Sequence, residues 1–174
     1  MGWQVGIWIV VAVAVFWTVG AYNRLVSLRN ALVKSFEPVD LQFSTRHALL
    51  GQQIDAIGAV LSNAAERLET LRAACLQTEM ARAHAKAHPG APGAITSLRL
   101  ADEILAEARA RLPVQSVGGV DISALKTELA AADTALAFAR RQFNDAVLAY
   151  NHAIRQVPTR LIAAIFGFAP AGTL

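Results

Sequence analysis

Residues 50–75, LGQQIDAIGAVLSNAAERLETLRAAC, place Leu50, Ile54, Ile57, Leu61, Ala64, Leu68, Leu71 and Cys75 at steps of 4, 3, 4, 3, 4, 3 and 4. A helix turns once in 3.6 residues, so this rhythm lines up one narrow apolar seam that another helix must cover. Gln53, Asp55, Glu66, Arg67, Glu69 and Arg72 fall off the seam. The pattern predicts a long helix over about 38–87. As a straight rod it would measure roughly 75 Å at 1.5 Å per residue.

The same rhythm recurs further on, in Ile122, Leu125, Leu129, Ala132, Leu136, Ala139, Phe143, Ala146 and Tyr150. Phe138, Val147 and Ile154 are expected to widen this face, giving a second long helix over about 122–157. A shorter helix is expected over about 94–112, burying Ile95, Leu98, Leu105, Ala108 and Leu112. The segment His88-Pro89-Gly90-Ala91-Pro92-Gly93 reads as a break, because proline lacks a donor and glycine loosens the backbone. Pro113 to Asp121, with Gly118-Gly119, reads as the second connection, and Asp121 or Ser123 can cap the helix that follows. Pro38 is expected to kink or restart the first helix, and Pro158 to bend or end the last. The apolar tail over 158–174 has no charge from Leu161 onward; too short to span a bilayer, it packs on the bundle or lies on the membrane surface.

From Met1 to Asn23 no side chain is charged, and Gly2 to Ala21 has the length needed to cross a hydrocarbon layer. Trp3 and Trp17 stand near the two ends, where amphipathic rings prefer the interface. Residues 1–23 therefore read as a transmembrane anchor and 24–174 as the bundle domain. A cleaved signal peptide is the competing reading: Val19-Gly20-Ala21 has the small residues of a cleavage site, but Met1-Gly2-Trp3-Gln4 lacks the basic start and the apolar stretch is long. Arg24, Arg29 and Lys34, with Arg46 further on, follow the anchor and no basic residue precedes it. The positive-inside tendency then puts the N-terminus outside and the domain in the cytoplasm.

The net charge is +3, with Lys and Arg mixed among Asp and Glu, and no basic run with interleaved aromatics suggests nucleic acid. The one local bias, Arg24, Arg29 and Lys34, suits a topology signal or a weak contact with anionic headgroups. A lone Cys75 excludes an internal disulfide, and on the apolar seam it reads as a small inert hydrophobe. His84 and His88 share a helix face at zinc-ligand spacing, yet no third ligand is evident. The pairs Asp102/Glu103 and Glu66/Glu69 read as solvated helix faces. No catalytic, cofactor-binding or metal-binding residue is assigned. The notable polar residues are Asn144, Tyr150 and Asn151 beside the last seam, since Asn is a poor helix former. They read as a buried hydrogen-bond set fixing register between helices, with a partner contact as the alternative. Tyr22-Asn23 at the membrane exit poses the same choice.

Two stretches resemble the LemA family. The first is Ala21-Tyr22-Asn23-Arg24-Leu25-Val26-Ser27-Leu28-Arg29-Asn30, continuing to Val39-Asp40-Leu41-Gln42 and Arg46-His47-Ala48-Leu49-Leu50. The second is Ala139-Arg140-Arg141-Gln142-Phe143-Asn144-Asp145-Ala146-Val147, then Tyr150-Asn151, Ile154, Val157-Pro158, Leu161-Ile162-Ala163 and Gly167-Phe168. The family usually has Trp near Phe36, a basic pair where Ser44-Thr45-Arg46 sits, Pro near Gly51 and Tyr in place of Phe143, so the chain resembles a diverged member. The resemblance implies a membrane-anchored bundle of long helices at a bacterial cell membrane. It supplies no catalytic residue.

The expected fold is all-α, an N-terminal transmembrane helix leading into an elongated antiparallel bundle of coiled-coil-like helices. The expected function is a non-catalytic interaction or scaffold module whose partners are the bilayer and a protein, or a second copy, held through the helical seams. A lipid-surface module using the basic juxtamembrane segment and the tail is the alternative. An enzyme using Cys75 or the histidines ranks below both.

Overall fold

The computed structural model describes residues 2–58, 65–112 and 123–174, and over these the chain is all-α. The helices are α1 (Gly2–Gly58), α2 (Ala65–Ala87), α3 (Pro92–Ala110), α4 (Ser123–Arg155) and the short α5 (Thr159–Ile165). Leu61, Ala64, the connection over 113–121 with its cap candidate Asp121, and Ile122 lie outside the described residues.

Helices α1 to α4 each run antiparallel to the next. Arg72 approaches Asp55 while Lys86 pairs with Asp40, so α2 returns along α1. The Thr78 hydroxyl reaches the Ala101 carbonyl from α2 to α3. Asp102 and Asp133 meet Arg140 and Arg109 between α3 and α4. Phe36 and Phe143 stack edge to face at 5.5 Å between α1 and α4. The result is an up-down-up-down four-helix bundle.

This differs from a single helix over 38–87. The seam is divided between α1 and α2, and its two halves cover each other: Leu50, Ile54 and Ile57 pack against Leu68, Leu71 and Cys75. A straight helix would leave these side chains without that cover. Burying each large one contributes about 1.5–3 kcal/mol, on the order of 10 kcal/mol together, which favours the reversal. The 4-3 rhythm survives the reversal because both helices face one core, so the pattern alone does not reveal it.

Three smaller expectations also change. Helix α1 runs through Pro38 without interruption. The donor that proline lacks would have served the Lys34 carbonyl, and both residues are exposed, so water can serve it. Helix α3 starts at Pro92 rather than Ala94, since proline suits the first turn, where no donor is needed. Phe138 is 63% exposed and does not widen the buried face of α4. Counted at 100° per residue from Leu136 it points away from the core. Beyond Arg155, α4 stops and α5 begins just after Pro158.

Two apolar cores fill the bundle. One joins Leu25, Leu32, Phe36, Val39 and Phe43 to Ile95, Leu98, Phe143, Val147 and Tyr150. The other joins Leu50, Ile54 and Ile57 to Leu68, Leu71, Leu105 and Leu129. The α2–α3 hairpin is shorter than the α1–α4 pair, and its turn stops beside Leu32, where Gly90 lies. The overhanging stretch of α1 and α4 is covered instead by α5 and the tail, through Ile162, Ala163 and Ala171. Below Ala21, the first buried residue of α1, the helix continues alone, with Trp3 through Val19 exposed except for half-buried Thr18. It is the one helix among the described residues long and apolar enough to cross a membrane.

Candidate functional site

Between the two cores lies a charged layer. Arg46 of α1, 6% exposed, and Asp102 of α3, 8% exposed, form a buried ion pair. Arg140 of α4 binds the other carboxylate oxygen of Asp102. Arg46 also reaches Asp133 at 3.5 Å, which Arg109 grips with two nitrogens at 2.9 and 3.1 Å. The guanidiniums of Arg46 and Arg140 lie 5.0 and 5.1 Å from the Phe43 ring centre, a cation–π arrangement. Three helices are thereby locked at one level. Asp102 is not a solvated residue, as its pairing with Glu103 suggested. It stands four residues after Leu98 and three before Leu105, on the buried stripe of α3. Arg46 likewise stands three after Phe43 and four before Leu50. Seam arithmetic applied to the charged residues would have found both.

The polar residues of α4 hold the tail. The Asn151 side-chain amide donates to the Ala171 carbonyl at 2.8 Å, and its oxygen accepts from the Ala171 N–H at 2.8 Å. Asn144 makes the same two bonds with Leu174, at 2.8 and 2.9 Å. The spacings match. Seven residues of helix advance about 10.5 Å, and three of extended chain about 10 Å. The Tyr150 hydroxyl donates to the Ala169 carbonyl at 3.1 Å. Burial pushes the Tyr150 phenol above its ordinary range, against a smaller opposing effect of Arg29. The three residues thus fix the register of the tail along α4, rather than that of one helix against another.

The other candidate residues scatter. Tyr22 stacks with Phe166 and Phe168, at 4.9 and 5.9 Å between ring centres. Asn23, Arg24, Arg29 and Pro158 are exposed. Asp40 binds Arg82 and Lys86 of α2, the latter at 2.8 Å. The hydrogen bond from Arg82 holds the Glu79 carboxyl below its usual range. Arg29, Lys86 and Tyr150 help line a groove of about 620 Å³ between the α2–α3 turn and the tail.

Cys75 is buried, and that burial pushes its thiol up, outweighing Arg46 and Arg109, so it holds its proton and is a poor nucleophile. Cys75 and His47 line a second, shallow groove between α1 and α2, and no hydrogen bond joins them among the described residues. The His84 and His88 ring centres are 5.1 Å apart, with His84 exposed in the last turn of α2 and His88 just beyond it. Among the described residues no group of three or more His, Cys, Asp or Glu is placed to hold a metal ion.

The fold and its polar interior define an all-helical bundle protein with one candidate membrane span and internal charges that pair with one another. A family model described as the LemA family matches residues 35–174, and the chain belongs to that family. The match includes the middle of the chain, between the two stretches that resemble the family. Phe36 and Phe143, where the resemblance implied a nearby Trp and a Tyr, meet in the α1–α4 interface. Trp and Tyr need partners for N–H and O–H when buried, and two phenylalanines need none. No functionally curated protein matches the chain.

Proposed function

We propose that this protein is a non-catalytic, single-pass membrane module that presents its bundle to a protein partner at the membrane. The observation that carries this reading is the continuity of α1: one helix of 57 residues is both the candidate span and a core element of the bundle. A bundle built on that helix stands at a set distance from the bilayer. The interior charges support a structural role, since Asp102, Asp133 and Asp40 each bind arginine. The seams are filled by the chain's own helices, so a partner would dock on the outer surface, where Phe138 and Leu41 are exposed. A photo-reactive residue placed at Phe138 in the full chain should give a discrete protein adduct in intact membranes. Capture of lipid and solvent alone from both Phe138 and Leu41 would overturn the reading.

The bundle is assigned to the cytoplasmic side, because Arg24, Arg29 and Lys34 follow the span and no basic residue precedes it. With Cys75→Ser to remove the buried thiol and Ser97→Cys on the exposed side of α3, a membrane-impermeant thiol reagent should label only opened cells. Labelling in intact cells would reverse the orientation.

A further inference from the structure

The charges that look mixed along the sequence separate in space. All 13 acidic residues lie between Glu37 and Asp145. The flanking stretches, 1–36 and 146–174, carry Arg24, Arg29, Lys34, Arg155 and Arg160 with no acid. The antiparallel course of α1 and α4 brings these stretches together, since Phe36 meets Phe143 and Phe166 meets Tyr22. One end of the bundle is therefore purely basic, and it is the end from which the bare apolar part of α1 emerges.

Helix α5 sits at that end. Its inner face buries Thr159, Ile162 and Ala163. Its other side exposes Leu161 and Ile165, one turn apart, with Val157 before it and Phe166 after; Val157 is 80% and Ile165 73% exposed. Among the described residues nothing covers Val157, Leu161 or Ile165, and Phe166 is covered only where it meets Tyr22. Phe166 stacks on Tyr22, one residue beyond Ala21, where α1 leaves the bundle. Tyr22 follows about 20 apolar residues, the length that crosses the hydrocarbon, and so stands at headgroup depth.

We propose that the outward face of α5, Leu161 and Ile165, together with Val157 before the helix and the exposed part of Phe166 after it, rests in the headgroup layer of the bilayer that α1 crosses, with Arg155 and Arg160 on anionic headgroups. The proposal rests on reading α1 as the span. Two features identify lipid as the occupant: the patch continues the apolar surface of the span, and its surrounding charge is of one sign. The bundle then stands on the membrane at two points, α1 and α5, which fixes its tilt as well as its position.

The test uses the full chain in vesicles of phosphatidylcholine with or without phosphatidylglycerol. An environment-sensitive fluorophore is attached at Ile165→Cys in a Cys75→Ser background, with Leu100→Cys on α3 as the water-facing control. The expected result is a blue-shifted emission at 165, quenched by lipid-borne nitroxide and several-fold less accessible to iodide than at 100. Arg155→Gln with Arg160→Gln should weaken this protection in the anionic vesicles. Equal iodide access at 165 and 100 overturns the proposal. Protection that ignores the lipid quencher and grows with protein-to-lipid ratio overturns it in favour of a second copy. Quenching of Trp3, Trp8 and Trp17 by brominated lipid reports the span independently, so loss of the α5 contact and failure of the anchor are distinguishable; unquenched tryptophans would overturn both.

Discussion

Replacing Asp102 by alanine lowers the unfolding free energy by about 3–5 kcal/mol, the largest single effect expected in the bundle. The carboxylate is buried and carries two guanidiniums, Arg46 on one oxygen and Arg140 on the other. Removing it leaves Arg46, itself 6% exposed, with only Asp133 at 3.5 Å. The loss comes mainly from a buried charge left short of its partner. Hence removing the whole set behaves differently: Asp102→Leu with Arg46→Met and Arg140→Met is expected to be nearly neutral or stabilising, because apolar residues of similar size avoid the desolvation cost. Denaturant titration of the full chain in nonionic detergent, followed by far-ultraviolet circular dichroism, measures both. Glu103→Ala is the control. Its carboxylate is exposed and 3.5 Å from Arg99, so a change above about 0.5 kcal/mol there would point to general damage to α3. Equal stability of Asp102→Ala and wild type would show that the layer is not the lock described above.

The contrast between Asp102 and Leu98 explains how far the sequence is legible. Leu98 is placed by periodicity alone, as are Leu50, Leu129 and Phe143, because apolar side chains follow the helix period wherever they are buried. The uncharged run before Arg24 is legible for a similar reason: length and lack of charge are enough. Asp102 and Arg46 occupy the same seams, but a charged letter reads as solvent-facing until its partner is known, and the partners lie 56 and 38 residues away. The α1–α2 reversal is hidden because a seam keeps its rhythm when it folds onto itself. The basic end is hidden too, since Arg24 and Arg155 become neighbours in level only once α4 is laid antiparallel to α1. Asn144 and Asn151 were legible as residues needing a reason. That the reason is an extended tail was beyond periodicity, which describes regular elements only.

The second large effect concerns that tail, and here two forces predict opposite signs. Alanine is a better helix former than asparagine by up to about 0.7 kcal/mol, so Asn144→Ala and Asn151→Ala should each stabilise α4 if the side chains do nothing else. The tail bonds predict the reverse. Each asparagine makes two hydrogen bonds to the tail backbone, and at about 0.5–1.5 kcal/mol each the four together contribute roughly 2–6 kcal/mol before the propensity gain is subtracted. The double variant is therefore expected to lose about 1–4 kcal/mol, with the loss limited to what tail docking contributes, since a detached tail lets water replace the bonds. Hydrogen exchange at the Ala171 and Leu174 amides reads the cause directly: both should lose protection in the double variant, and Leu174 alone in Asn144→Ala. Gly172→Ala reaches the same state without touching α4. A Cβ at 172 would stand 2.8 Å from the Cα of Pro92, against backbone that cannot swing aside, so the tail must shift off α3. If Gly172→Ala exposes the Ala171 and Leu174 amides while the asparagine variants stabilise the chain and keep them protected, the tail is held by its packing against α3. If the double asparagine variant and Gly172→Ala both expose them, the amide rungs and the Pro92 contact form one closure over the stretch of α1 and α4 that the shorter α2–α3 hairpin leaves uncovered.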